Sequence, residues 1–193
     1  MVDSKDICLI VVMANIGFFT TLLFGQMARV VTGVPGSNYV FIILLTIQTS
    51  FSFQIYEGRR WRVFIQGVIF TILIIPLNFG GTPYNVISKM NYVITPLICD
   101  VIFNSLYGIF RRYNKLFLWG VLTTVVFWAL NPFLGALTAY VVQPIEYVMA
   151  FLNVVLLLLP LIIIESVVGG YIGYKIYLRV KRDVLLNTDE IRD

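Results

Sequence analysis

The chain has 193 residues, 59% hydrophobic and 12% charged, with a mean hydropathy of +0.89, a composition that excludes a water-soluble globule. It contains no histidine and only two cysteines, Cys8 and Cys99, so the commonest metal ligand and the usual general base near neutral pH are missing and a four-ligand zinc site cannot be assembled. The formal charge of +4 raises nucleic-acid binding as a reading, but the basic residues sit in turns between apolar segments, where they report topology; no nucleic acid, metal or cofactor is expected.

Backbone groups in hydrocarbon must pair within their own segment, so a core of roughly 30 Å takes about 20 apolar residues of helix. In chain order, residues 7–31, 39–55, 63–79, 92–110, 116–142 and 147–177 are read as such helices. The first is too long for a signal peptide and ends without a small-residue cleavage site, so it is expected to be retained. Runs such as residues 154–164 are continuously apolar, which rules out the alternating ten-residue segments of a membrane barrel. The expectation is an all-α polytopic membrane domain of six transmembrane helices over residues 1–178, followed by a polar tail over residues 179–193.

Cytoplasmic loops retain positive charge during insertion. Six crossings put Lys5, Arg59, Arg60, Arg62, Arg111, Arg112, Lys115, Lys175, Arg179, Lys181, Arg182 and Arg192 on one side and leave Arg29 and Lys89 on the other. The chain is therefore expected to be multi-pass in the cell membrane with both termini cytoplasmic, and the basic clusters are read as topology determinants at the head groups. Tyr39, Tyr84, Tyr92, Tyr140 and Tyr147 then fall near the outer interface, and Tyr56, Trp61, Tyr113, Trp119, Tyr174 and Tyr177 near the inner one, depths that suit amphipathic rings. A shift of 52 to 53 residues aligns the second and third helices with the fourth and fifth. It matches Arg59 and Arg60 with Arg111 and Arg112, Gly67 with Gly120, Thr71 with Thr124 and Asn78 with Asn131, as a parallel repeat would.

Two acids interrupt the apolar helices, Asp100 in the fourth and Glu165 in the sixth. A carboxylate at the bilayer centre costs at least about 2.5 kcal/mol, so each needs a partner, a cation or a proton. Asn104 shares a face with Asp100 one turn on, and Asn15, Gln48, Gln66 and Asn153 are candidates from other helices. One reading is a ligand or cation site within the bundle; the other is a neutral acid hydrogen-bonding two helices together. The outer connections TGVPGSN, NFGGTPYN and QPIEY offer donors and acceptors in tight turns, either as a lid or as plain connections. Trp128, Asn131 and Pro132 can wall a pocket beneath them, Pro132 also freeing a carbonyl one turn earlier. The candidate substrate-binding residues are thus Asp100, Asn104, Gln48 and Asn131 for polar groups, with Trp128, Tyr84 and Tyr147 for an apolar or stacking surface. In ESVVGGYIGYK, Ser166 with Gly170 and Gly169 with Gly173 form two small-residue ridges for close packing against a partner helix, in this chain or in another. No phosphate-binding loop, CxxC pair or nucleophile beside a base is present, so no enzyme activity is expected.

With outer loops TGVPGSN, NFGGTPYN and QPIEY and a glycine-bearing, basic end to the sixth helix, the architecture resembles the substrate-binding S component of energy-coupling factor transporters. That family commonly carries an Ala-x-x-x-Ala pair on its first helix, whereas here Ala14 is followed four residues on by Phe18. The resemblance implies a membrane-embedded subunit that captures a vitamin-like nutrient under its outer loops and works with separate coupling and ATPase subunits meeting its cytoplasmic side. Two alternatives are a structural or accessory subunit of a larger membrane complex and a stand-alone carrier coupled to cations or protons through Asp100 and Glu165.

Overall fold

The computed structural model describes residues 3–25, 27–79 and 81–190, and its regular elements there are all helical. Helix α1 spans Ser4–Thr20 and runs through a π-helical turn, Thr21–Gly25, toward the short α2, Met27–Thr32. A 3₁₀ turn, Ser37–Phe41, leads into α3, Ile43–Tyr56, which is followed by α4, Arg62–Ile74. A second 3₁₀ turn, Ile87–Lys89, precedes α5, Asn91–Arg112; then come α6, Leu116–Tyr140, and α7, Ile145–Glu190.

Among the described residues, four helical stretches are long and apolar enough to cross a membrane: Ser4–Thr32, Ile87–Arg112, Leu116–Tyr140 and Ile145–Arg182. The expected second and third helices are shorter than residues 39–55 and 63–79, and the reasons are local. At Ile42 the backbone leaves helical geometry, with φ −98° and ψ 0°, so the 3₁₀ turn and α3 are separate pieces. Pro76 lacks an N–H and so cannot extend the helical hydrogen-bond ladder, and α4 stops at Ile74. The turn between α3 and α4 needs three left-handed residues, Glu57, Gly58 and Trp61, of which only the glycine adopts that conformation without steric cost. At Gly58 an added Cβ would also strike the Tyr107 ring. Over the polar tail expected from residue 179, α7 continues as helix to Glu190; Arg192 and Gly80 of NFGGTPYN lie outside the described residues.

The helices close into a ring in which α1 packs on α4, α4 on α5, α5 on α6, α6 on α7, α7 on α3 and α3 back on α1, with α3 also touching α6. One end gathers the basic turns. The Asp6 carboxylate receives Arg59 and Arg62 at 2.6 Å each, Arg60 donates to Ser105 Oγ at 3.1 Å, and Glu57 receives Tyr177 Oη at 2.5 Å and Lys181 Nζ at 2.6 Å. Partial burial pushes the Glu57 carboxyl pKa up, but those two donors outweigh it and hold it below the usual carboxylate value. At the opposite end the fully buried Lys89 donates to the carbonyls of Ile75 and Thr82, at 3.1 and 2.9 Å, folding the α4–α5 connection onto the end of α4.

The glycine ridges of α7 pack inside this chain. A Cβ at Gly169 would strike Thr46 Oγ1 and lie 2.9 Å from the Ile47 amide, one at Gly173 would lie 2.7 Å from the Ile47 carbonyl, and one at Gly170 would lie 2.9 Å from Val121 Cα. Ser50 Oγ donates to the Gly170 carbonyl at 2.9 Å, and Ser166 is fully buried. The opposite face of α7 leaves Leu157 79% exposed, and Val30 and Val31 of α2 are 78% and 83% exposed. Apolar surface of that extent suits lipid. Tyr39, Tyr56 and Trp119, read as interface aromatics, are instead buried in the core, whereas Tyr84, Tyr140, Trp61 and Tyr113 are exposed near the helix ends. The repeat leaves one shared device: Thr71 donates to the Gly67 carbonyl and Thr124 to the Gly120 carbonyl, both at 2.8 Å.

Candidate functional site

The two acids within the apolar helices, Asp100 and Glu165, each accept from the start of a neighbouring helix, α4 and α3 respectively. Asp100, 1% exposed on α5, accepts the Trp61 N–H on one oxygen and the Phe64 N–H on the other, both at 2.9 Å, and Asn104 Nδ2 donates to it at 2.8 Å. Those amides are the orphan donors of the first turn of α4, which carries the positive end of the helix dipole. Glu165 on α7 accepts the Ile42 N–H at the start of α3 at 3.0 Å, while Thr46 Oγ1 donates to its backbone carbonyl at 3.1 Å. The desolvation problem raised by an acid in an apolar helix is therefore met by backbone N–H groups from a neighbouring helix.

The space that can hold a small molecule lies elsewhere in the bundle. A partly open cavity of about 90 Å³ is lined by α1, α3, α4, α5 and α6, together with the 3₁₀ turn before α3 and Phe79. A single water needs roughly 10–15 Å³ on this measure, so the volume is several times larger. Small residues create the room: Ala14 and Gly17 come from α1 and Gly67 from α4. A Cβ at Gly67 would lie 2.7 Å from the Tyr92 carbonyl, the acceptor that Pro96 leaves without its helical donor. Phe70, Phe79, Tyr92, Phe127 and Trp128 supply aromatic walls, while Gln48, Thr49, Ser52, Gln66 and Asn131 supply polar atoms; none of the lining residues is charged.

Several of these polar groups are held by their neighbours. Asn131 accepts from Tyr39 Oη at 2.8 Å and from Asn91 Nδ2 at 3.3 Å, and donates to Thr95 Oγ1 at 3.3 Å. Trp128 Nε1 donates to Thr49 Oγ1 at 3.1 Å, and that hydroxyl donates to the Leu45 carbonyl. Gln48 donates through Nε2 to the Met13 carbonyl at 2.6 Å, and Gln66 accepts through Oε1 from Tyr56 at 2.8 Å. Ser52, 1% exposed, has no partner for its hydroxyl. A smaller chamber of about 40 Å³ adjoins it, sharing Asn38, Tyr39 and Tyr92 with the first and adding Arg29, Asn91, Gln143 and Tyr147.

Of the residues expected from sequence, the structure brings Gln48, Asn131 and Trp128 together around the larger cavity and places Tyr147 in the smaller chamber. Asp100 and Asn104 line neither cavity; the amides of α4 hold the Asp100 carboxylate in place. Tyr84 is 74% exposed and also lies outside both. Sequence reasoning did not single out Ser52, Thr49, Phe70 or Tyr39 as a site. The signal available was the spacing of Leu45, Gln48, Thr49 and Ser52, a polar stripe on one face of α3. Among the described residues no cluster of His, Cys, Asp or Glu suits a metal ion. No family model, curated protein or solved structure matches the chain.

Proposed function

We propose that this protein crosses the cell membrane six times with its basic end in the cytoplasm and binds a small organic molecule in the cavity, as the substrate-binding subunit of an importer. Separate coupling and ATPase subunits would meet the basic end. The observation that carries this reading is the cavity itself, since protein interiors are otherwise packed to near-crystalline density and a mostly apolar recess with a few polar groups is the usual form of a small-molecule site. Its position beneath the outer connections fits capture from outside.

The two alternatives are supported less well. A carrier coupled through Asp100 and Glu165 needs acids that are free to exchange cations or protons, and both are hydrogen-bonded to helix starts. A scaffolding subunit would offer small-residue ridges to a partner, and those of α7 are occupied by α3 and α6. The reading contains no catalytic step. The test is calorimetric titration of the purified protein against vitamins and their precursors, alongside native isolation. Saturable binding of one compound and co-isolation with two ATPases and a large coupling protein are expected; no saturable binding, with stable co-isolation in some other membrane assembly, overturns the proposal.

A further inference from the structure

We propose that the larger cavity selects an uncharged, flat molecule whose rim carries a hydrogen-bond donor beside an acceptor, as a carboxamide or lactam does; this rests on the binding role proposed above. The absence of charge in the lining is the first ground. None of the lining residues is Asp, Glu, Lys or Arg, and Asp100 and Glu165 are turned toward helix starts. An ion entering this space would leave water without a countercharge, and its desolvation is several-fold costlier than that of a neutral amide.

The second ground is which atoms remain uncommitted. Gln48 bonds through its amide nitrogen and Gln66 through its amide oxygen, so Gln48 Oε1 is left as an acceptor and Gln66 Nε2 as a donor. Ser52, one helical turn after Gln48 on the same face of α3, adds a buried hydroxyl without a partner, able to donate and accept. A buried hydroxyl left unmatched carries an energetic penalty, and its position on the wall of a cavity gives it a partner when a ligand enters. Acceptor, donor and hydroxyl together complement the N–H and C=O of an amide edge. The flat aromatic faces of Phe70, Tyr92 and Trp128 suit a ring attached to it.

Three probes of one shape separate the terms: benzamide, benzoate and benzylammonium, titrated into the full-length protein in lipid nanodiscs. Binding is read from the tryptophan fluorescence change that disappears in Trp128→Phe, because Trp128 lines the cavity. Benzamide is expected to bind saturably and at least about tenfold more tightly than either ion. Ser52→Ala is expected to weaken benzamide about three- to tenfold with a melting temperature equal to or above that of the unsubstituted protein. Equal or tighter binding of benzoate or benzylammonium overturns the selection for an uncharged ligand and leaves the binding role standing. Benzamide affinity unchanged in Ser52→Ala overturns the assignment of the hydroxyl. No saturable response to any of the three removes the ligand class, and the vitamin titration then decides the binding role by itself.

Discussion

An acid among apolar helices has few groups with which to satisfy its lone pairs, and Asp100 and Glu165 use the same kind. Each takes amide protons from the start of a helix that begins inside the bundle, where the unpaired N–H groups and the dipole both favour a negative charge. Replacing Asp100 with alanine strands two amides, and unfolding monitored by circular dichroism in detergent should show a loss of about 2–3 kcal/mol. Glu165→Gln keeps an oxygen for the Ile42 amide and should cost less than about 1 kcal/mol. Equal losses for the two would contradict the capping account. The sequence made plain that both acids needed partners. It did not reveal the partner, because Asp100 meets α4 only where Trp61 takes a left-handed conformation and starts the helix, and no hydropathy pattern marks that residue.

At the scale of elements, hydropathy located α5 and α6 to within two residues of their observed ends, since both are largely apolar runs bounded by polar turns. It over-extended α3 at its start and α4 at its end, where Ile42 and Pro76 decide the ends, and met the bounds at the left-handed turn over residues 57–61 to within one residue. The small-residue ridges of α7 were legible as close-contact faces but not as internal ones, because spacing identifies a face and not its neighbour. Gly173→Ala should destabilise by about 1–3 kcal/mol, since the new methyl meets the Ile47 backbone carbonyl at 2.7 Å and backbone cannot swing away. Gly108→Ala, with nothing within 4 Å of its Cβ, should be neutral or stabilise α5 by up to about 1 kcal/mol. A melting comparison of the two variants tests the packing of α7 directly, and equal effects would contradict it. The Glu57–Lys181 contact yields a pH test. Because the folded carboxyl is held below its ordinary value, its contribution is present above the unfolded pKa and is lost as pH falls through the folded one. The difference in melting temperature between the unsubstituted protein and Glu57→Gln should therefore shrink as pH is lowered from about 6 to about 3. A difference constant over that range would contradict the pairing.

Across the whole molecule, one arrangement accounts for three features: basic turns collected at one end, apolar side chains exposed around the bundle, and neutral polar groups gathered about an internal space near the other end. The first two were legible in composition and charge spacing. The third was legible only in fragments, because Gln48, Asn131 and Trp128 reach one cavity through the ring order of helices, with α4 seated between α1 and α5, and that order is not written in any single segment. The proposed six crossings require α3 and α4, of 14 and 13 residues, to complete their passage through the adjoining 3₁₀ and irregular segments, which buried backbone contacts within protein permit.

Membrane-impermeant maleimide labelling of sealed vesicles tests that passage most directly, using single cysteines at residues 60, 84, 112 and 140 in a chain carrying Cys8→Ala and Cys99→Ala. Arg60→Cys and Arg112→Cys should react from one face, and Tyr84→Cys and Tyr140→Cys from the other. Reaction of Arg60→Cys and Arg112→Cys from opposite faces would contradict the account.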